Sequence, residues 1–204
     1  MNLDSTASRL AAAGVAYAPQ IAAAAARYDL DPRLLAAVAA QETGGPGSNA
    51  GRNVIGDGGH GHGLFQIDDR WHAFASTAEA MNPAANAQYA AGMLHELIGR
   101  YGNVREALSA YNAGSPNATG TQTEWPDGQR LGYADSVMRH YGEIDGGGAP
   151  PAPVAWAMPQ ATAPAVPSAM PALPQLPAPA QPQSYRRQET DYTGIFDTDD
   201  STND

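Results

Sequence analysis

The chain has 204 residues, no cysteine and a formal net charge of −10 at pH 7. Without cysteine it can form neither disulfides nor thiolate metal sites. Its acidic balance makes nucleic acid a poor partner, because nucleic-acid binding normally needs a basic face.

The first half of the chain predicts helices. Ala-rich segments with a 3.6-residue periodicity alternate with short Gly, Pro and Asn breaks, and signals for strands are nearly absent. Helices are expected at about residues 5–16 and 19–28. Asp31 is a good N-cap with Pro32 at the first helical position, and the Gly-Gly-Pro of residues 44–46 should end that helix.

Glu42 is the most informative residue, because it follows Leu35, Val38 and Ala39 at helical spacing. This spacing places its carboxyl on the face that turns toward the core. Burial disfavours an ionised carboxylate, so such a glutamate tends to keep its proton and is a candidate general acid. The structural alternative is a buried glutamate that is neutralised by an arginine.

A glycine-rich segment at residues 44–63 follows, where the backbone can turn tightly and approach a ligand closely. His60 and His62 stand near Asp57 in this segment. A His-x-His pair without a further placed ligand is usually solvent-exposed, so we predict no metal and no cofactor.

Further helices are expected in the second half. Asn82 and Pro83 open a helix that Gly102 ends, and its long apolar stripe marks it as the central packing helix. Asn103 caps the next helix, which runs to Asn112, and a final helix covers about residues 131–141. The three tryptophans are interpreted as surface aromatics, with the second of them also a candidate for stacking on a sugar: Trp71, Trp125 and Trp156.

Three parts of the chain are predicted: a folded domain at residues 1–148, a Pro- and Ala-rich linker at 149–183, and an acidic, disordered tail at 184–204. The tail is also a candidate for docking to a virion or a secretion machine.

No stretch approaches the roughly 20 apolar residues of a membrane span, and the N-terminus lacks the features of a signal peptide. We therefore expect delivery to the cell wall, in the periplasm or outside the cell, by a phage particle, a holin or a dedicated secretion system.

Three motifs in order carry a family resemblance: VAAQETG at residues 38–44, GLFQI at 63–67 and SAYNAG at 109–114. Together they resemble the superfamily of goose-type lysozymes and lytic transglycosylases, which cleave the glycan strands of bacterial peptidoglycan. The resemblance covers residues 17 to about 145 and implies a lysozyme-like, predominantly helical all-α fold (within the α+β superfamily) with a glycine-rich active-site loop. The resemblance also implies that Glu42 is the catalytic acid.

A longer run favours the goose-type branch. Residues 56–72, GDGGHGHGLFQIDDRWH, are similar to the goose-type pattern that carries two further acids, here Asp57 and Asp68. The stretch from Glu42 to Asp57 is two residues longer than in that pattern, and Ile55 stands where Trp is usual. The resemblance also implies substrate contacts at five positions: Gln66, His72, Tyr111, Asn112 and Tyr133.

The sequence thus predicts a muramidase that hydrolyses the β-1,4 bond between N-acetylmuramic acid and N-acetylglucosamine with inversion. Glu42 would donate the proton, and Asp57 or Asp68 would activate water. One alternative is a lytic transglycosylase that forms 1,6-anhydro products. Another is a non-catalytic glycan-binding or structural protein of a virion or a secretion apparatus.

Overall fold

The computed structural model describes residues 3–144, so the predicted linker, the tail and Trp156 lie outside the described residues. Six α-helices are present in this range: Leu3–Ala12 (α1), Ala18–Arg27 (α2), Pro32–Ala39 (α3), Pro83–Tyr101 (α4), Val104–Ala113 (α5) and Tyr133–Ile144 (α6). A π-helical turn at Ala40–Gly44 continues α3. The prediction of a predominantly helical domain is confirmed. No helix within residues 3–144 is long and apolar enough to cross a membrane.

The predicted caps fix three of these helices. The Asp31 carboxylate accepts the backbone N–H of Arg33 at 2.9 Å. Asn82 and Asn103 accept backbone N–H groups in the first turns of α4 and α5, so both helices begin where the sequence indicates. Each cap contributes about 1 kcal/mol, because it satisfies donors that have no partner inside the helix.

The most enclosed helix is α3, while α4, predicted to be the central packing helix, packs extensively against α2 and α5. From Leu34 to Ala39 every side chain of α3 is buried, whereas α4 buries mainly one stripe. The reason is position: α3 packs against both α2 and α6, while α4 lies across α2 and α5. Burying Leu35 and Val38 completely stabilises the fold by about 1.5–3 kcal/mol each.

The glycine-rich segment forms strands, which the sequence pattern did not indicate. An antiparallel sheet joins Val54–Gly56 (β1), Gly61–Gly63 (β2) and Ile67–Asp68 (β3), and a second pair joins Thr123–Glu124 (β4) to Arg130–Leu131 (β5). Such strands of two or three residues are too short to show alternation. We call β1 to β3 and their connections, residues 54–68, the hairpin sheet.

Asn86 of α4 holds the hairpin sheet in place. Its side chain is fully buried, accepts the N–H of Phe65 at 2.8 Å, and donates to the carbonyls of His62 and Ala80 at 3.0 and 2.9 Å. Gly63 allows this approach, because a Cβ there would lie 2.5 Å from the Asn86 amide nitrogen. The hairpin sheet is thereby fixed against the helical core.

Candidate active site

Glu42 lies in the π-helical turn that ends α3. The N–H of Gly45 donates to the carbonyl of Ala40 at 3.0 Å, five residues back, so the turn is wider than an α-helical one. Such single π turns often occur at functional sites. Glu42 is half-buried in this turn, so its carboxyl is less enclosed than the helical spacing predicted.

Thr43 connects this turn to the hairpin sheet. Its buried hydroxyl lies 3.1 Å from the carbonyl oxygens of both Ala39 and Leu64, and it accepts the N–H of Arg52 at 2.8 Å. One small side chain therefore serves three backbone segments that meet behind Glu42. This arrangement holds the end of α3 against the segment that carries the GLFQI motif.

Tyr133 contacts the candidate acid directly. Its phenol donates a hydrogen bond of 2.7 Å to Oε1 of Glu42, and its side chain is only 1% exposed. The ring of Tyr111 stacks beside that of Tyr133, with 6.4 Å between ring centroids, and the Tyr111 hydroxyl donates to the carbonyl of Phe65 at 3.2 Å. We call Glu42, Tyr133 and Tyr111 the acid cluster. The structure brings together three residues predicted for the site.

The loop before α6 sets the position of Tyr133. The N–H of Tyr133 donates to the carbonyl of Thr119 at 3.0 Å. Asn112 accepts the N–H of Thr121 at 2.8 Å and donates to its hydroxyl at 3.3 Å. Asn112 was predicted to contact substrate, and in the structure its amide braces the loop that leads to Tyr133.

The two predicted aspartates meet on one arginine. The Arg70 guanidinium pairs with both Asp57 and Asp68, and its Nε lies 2.9 Å from Oδ1 of Asp68. The backbone N–H of Arg70 also donates to Asp68 Oδ1 at 2.8 Å. We call Asp57, Asp68 and Arg70 the arginine cluster. In it the two carboxylates share one cation, and the Arg70 pKa is raised, chiefly by its hydrogen bonds to Asp68.

The Gln66 side chain lies inside the hairpin sheet and hydrogen-bonds to its backbone. Its amide nitrogen donates to the carbonyls of Val54 and Gly63 at 3.0 and 2.8 Å, and the residue is 8% exposed. Cβ atoms at Gly56 and Gly61 would lie 2.2 and 2.5 Å from its amide oxygen. The glycines of this segment therefore make room for the predicted substrate-binding glutamine.

The histidines of this region lie in two separate places. His72 Nδ1 is 3.1 Å from the hydroxyl of Tyr89. Burial raises the pKa of this tyrosine. His60 and His62 both contact the Asp69 carboxylate, at 2.8 and 3.1 Å, and these hydrogen bonds lower the Asp69 pKa. His72 was predicted to bind sugar, and the structure shows it packed edge-on against the Tyr89 ring.

Two features of the site escaped sequence reasoning. Arg70 stands two residues after Asp68, within the quoted motif, but its pairing with Asp57 depends on the fold. Trp125 was predicted at the surface and is instead 2% exposed, so that prediction is wrong. Its indole N–H donates to the Ser136 hydroxyl at 3.0 Å, and the Pro- and Gly-containing loop around it folds back onto α6.

Comparison with known proteins identifies the family. Residues 19–127, more than half of the chain, match the model of the transglycosylase SLT domain. The chain belongs to the transglycosylase SLT family. All three motifs named above fall within the matched range.

Two relatives illustrate the similarity to known proteins. The chain is 32% identical over 131 residues to the "Transglycosylase" of Enterobacteria phage PRD1, a match that covers 64% of this chain and 44% of that protein. It is also 32% identical over 122 residues to "Protein IpgF" of Shigella flexneri, covering 56% of this chain and 74% of that protein. The chain thus spans less than half the length of the phage relative. No solved structure matches significantly.

Proposed function

We propose that this SLT domain is a lytic transglycosylase that cleaves the β-1,4 bond between N-acetylmuramic acid and N-acetylglucosamine in peptidoglycan. The observation that carries the proposal is the contrast between Glu42, which accepts a hydrogen bond from the neutral Tyr133 phenol, and the two aspartates, which are paired with Arg70. The family and the name of the phage relative support the same activity.

Glu42 acts as the proton donor in this proposal. An unprotonated sugar alkoxide leaves poorly, so a carboxylic acid must deliver a proton to the glycosidic oxygen as the bond to C1 breaks. The Tyr133 phenol donates to the Glu42 carboxyl and orients it, and an uncharged donor favours ionisation less strongly than an arginine does. In this proposal Glu42 is protonated before the bond breaks.

The second step uses the carboxylate that results. The 6-hydroxyl of the muramic residue attacks C1, a new C1–O6 bond forms, and the hydroxyl proton passes to Glu42, which regenerates the acid. No water is consumed, and the product ends in a 1,6-anhydro ring. Asp68 accepts hydrogen bonds from Arg70 on both carboxylate oxygens, which leaves it little capacity to take a proton from water.

Hydrolysis, as in goose-type lysozymes, is the second candidate, and one observation favours it. Asp57 is held by Arg70 alone among the described residues and lies at a positive φ of 49° in a tight turn. An aspartate released from this pair would be available to orient water on the far face of the sugar, as an inverting mechanism requires.

Mass spectrometry of the muropeptides released from purified peptidoglycan tests the proposal. We expect 1,6-anhydro ends, lighter by one water than reducing ends, from the wild type and also from Asp57→Asn and Asp68→Asn. Reducing ends that disappear in either aspartate variant would establish the hydrolase instead. Absence of any product from the folded wild type, with retained binding to peptidoglycan, would favour a non-catalytic glycan-binding protein.

The place of action follows from the proposed substrate. Peptidoglycan lies in the periplasm or outside the cell, so we propose that the protein acts there. Docking of residues 184–204 to a virion or a secretion machine remains a prediction, and deletion of these residues with assay of lysis by the assembled particle would test it.

A further inference from the structure

We infer that Gln41 and Ser136 are positioning residues that align Glu42 with Tyr133, an inference that rests on the proposed function of Glu42. Gln41 immediately precedes the candidate acid in the π-helical turn, and Ser136 lies one turn after Tyr133 on α6. Their side chains meet in a hydrogen bond of 2.6 Å from the Ser136 hydroxyl to Oε1 of Gln41.

This bond belongs to a hydrogen-bonded set of four side chains, of which all but the half-buried Thr123 are buried. The indole N–H of Trp125 donates to the Ser136 hydroxyl at 3.0 Å, and the Gln41 amide nitrogen donates to the Thr123 hydroxyl at 2.8 Å. Ser136 is fully buried, Gln41 is 6% exposed and Trp125 is 2% exposed. These four side chains therefore join the end of α3, the start of α6 and strand β4.

Each bond in this set has a donor and an acceptor that suit each other. The indole nitrogen can only donate, so Ser136 accepts from Trp125, and the Ser136 hydroxyl donates to the Gln41 carbonyl oxygen. The Gln41 NH₂ group then faces the Thr123 hydroxyl. In this orientation both ends of the Gln41 amide have a hydrogen-bond partner.

These hydrogen-bonded side chains place a second contact beside the one between Tyr133 and Glu42. Tyr133 and Ser136 are three residues apart on α6 and so share a face, and they hold consecutive residues of the π turn, Glu42 and Gln41 respectively. One contact alone would allow the π turn to rotate about it. Two contacts fix both the distance and the rotation of this turn relative to α6, and they direct the Glu42 carboxyl toward the phenol.

Steady-state kinetics of Ser136→Ala and Gln41→Met test the inference. Misplacing an acid by a fraction of an ångström to an ångström lowers turnover, so we expect kcat to fall between about tenfold and a hundredfold with KM unchanged. Tyr141→Phe is the matched control. It removes a hydrogen bond of 2.7 Å to Asp31 from the same helix, and its kcat should equal that of the wild type.

A conservative pair at Thr123 separates positioning from general stability. Thr123→Ser keeps the hydroxyl that accepts from Gln41 and should keep the wild-type kcat. Thr123→Val keeps the shape without the acceptor, and kcat should fall between about twofold and tenfold, the equivalent of one hydrogen bond. Equal activity of these two variants, or a wild-type kcat in Ser136→Ala, would overturn the inference.

A second measurement does not depend on activity. The carbon-13 signal of the Glu42 carboxyl, assigned with Glu42→Gln, should shift in Ser136→Ala and stay unchanged in Tyr141→Phe, because only the former disturbs the Tyr133 contact. If the wild type releases no muropeptides, the proposed function fails, and this signal alone decides the positioning role. An unmoved signal in a folded Ser136→Ala, or in Thr123→Val should Ser136→Ala not fold, would refute it.

Discussion

The acid cluster and the arginine cluster each contain carboxylates, but they hold them by opposite means. Glu42 accepts from a neutral phenol at the end of a helix, whereas Asp57 and Asp68 share the cation of Arg70 at the hairpin sheet. A cationic partner stabilises the carboxylate anion more strongly than an uncharged donor does. In the proposed function, this difference in partner separates Glu42, the candidate proton donor, from the two aspartates.

The most severe test of this comparison is Glu42→Gln. The amide keeps the size and can still accept from Tyr133, but it has no proton to deliver to the leaving oxygen. We expect muropeptide release to fall about a thousandfold, within the range that general acids supply. The melting temperature should be almost unchanged, and activity within threefold of the wild type would exclude Glu42 as the acid.

The next effect concerns His140 on α6, whose ring packs against Trp125. Burial, assisted by the charge of Arg139, lowers the His140 pKa to about 4, and neither ring nitrogen has a hydrogen-bond partner among the described residues. Since the unfolded histidine titrates near 6.5, the unfolded chain binds the extra proton between these pH values. The free energy of unfolding should therefore fall by about 3 kcal/mol as pH drops from about 6.5 to 4, and then this contribution levels off.

Denaturant unfolding at a series of pH values measures the contribution of His140. In His140→Phe, which keeps a ring against Trp125, the slope between these pH values should be smaller than in the wild type. An identical slope in both proteins would show that His140 is not the group responsible.

A smaller effect is expected from Tyr133→Phe, which removes only the hydroxyl from the acid cluster. The ring remains stacked on Tyr111, but Glu42 loses a donor at 2.7 Å. We expect kcat to fall between about tenfold and a hundredfold because the acid is less well oriented. Tyr111→Phe, which loses a bond to a backbone carbonyl instead, is the comparison variant, and a larger loss there would reverse their assigned importance.

The smallest effects should come from the arginine cluster. Asp68 is 7% exposed, so Asp68→Asn leaves Arg70 with a poorer partner and should reduce the free energy of unfolding by about 1–2 kcal/mol. Asp57→Asn affects a more exposed pair and should change it by less than about 1 kcal/mol. Thermal unfolding measures both, and kcat should remain within about threefold of the wild type. A hundredfold loss of kcat in either variant would give that aspartate a catalytic role.

Much of the helical framework was predictable from local chemistry. Asp31, Asn82 and Asn103 cap their helices as the sequence indicates, because a side-chain oxygen next to the first turn satisfies its donors without help from the fold. The strands of the hairpin sheet were not predictable. They are two or three residues long and depend on Asn86 and Gln66 contacts that join distant segments.

The sequence alone predicted candidates for the chemistry, since the family resemblance of its motifs implies Glu42, Tyr111 and Tyr133 as site residues. Only the tertiary structure decided what each of them contacts. The pairing of Glu42 with Tyr133 spans 91 residues, and that of Gln41 with Ser136 spans 95. Local propensity has no information about contacts at such separations, because they arise from the packing of α3 against α6.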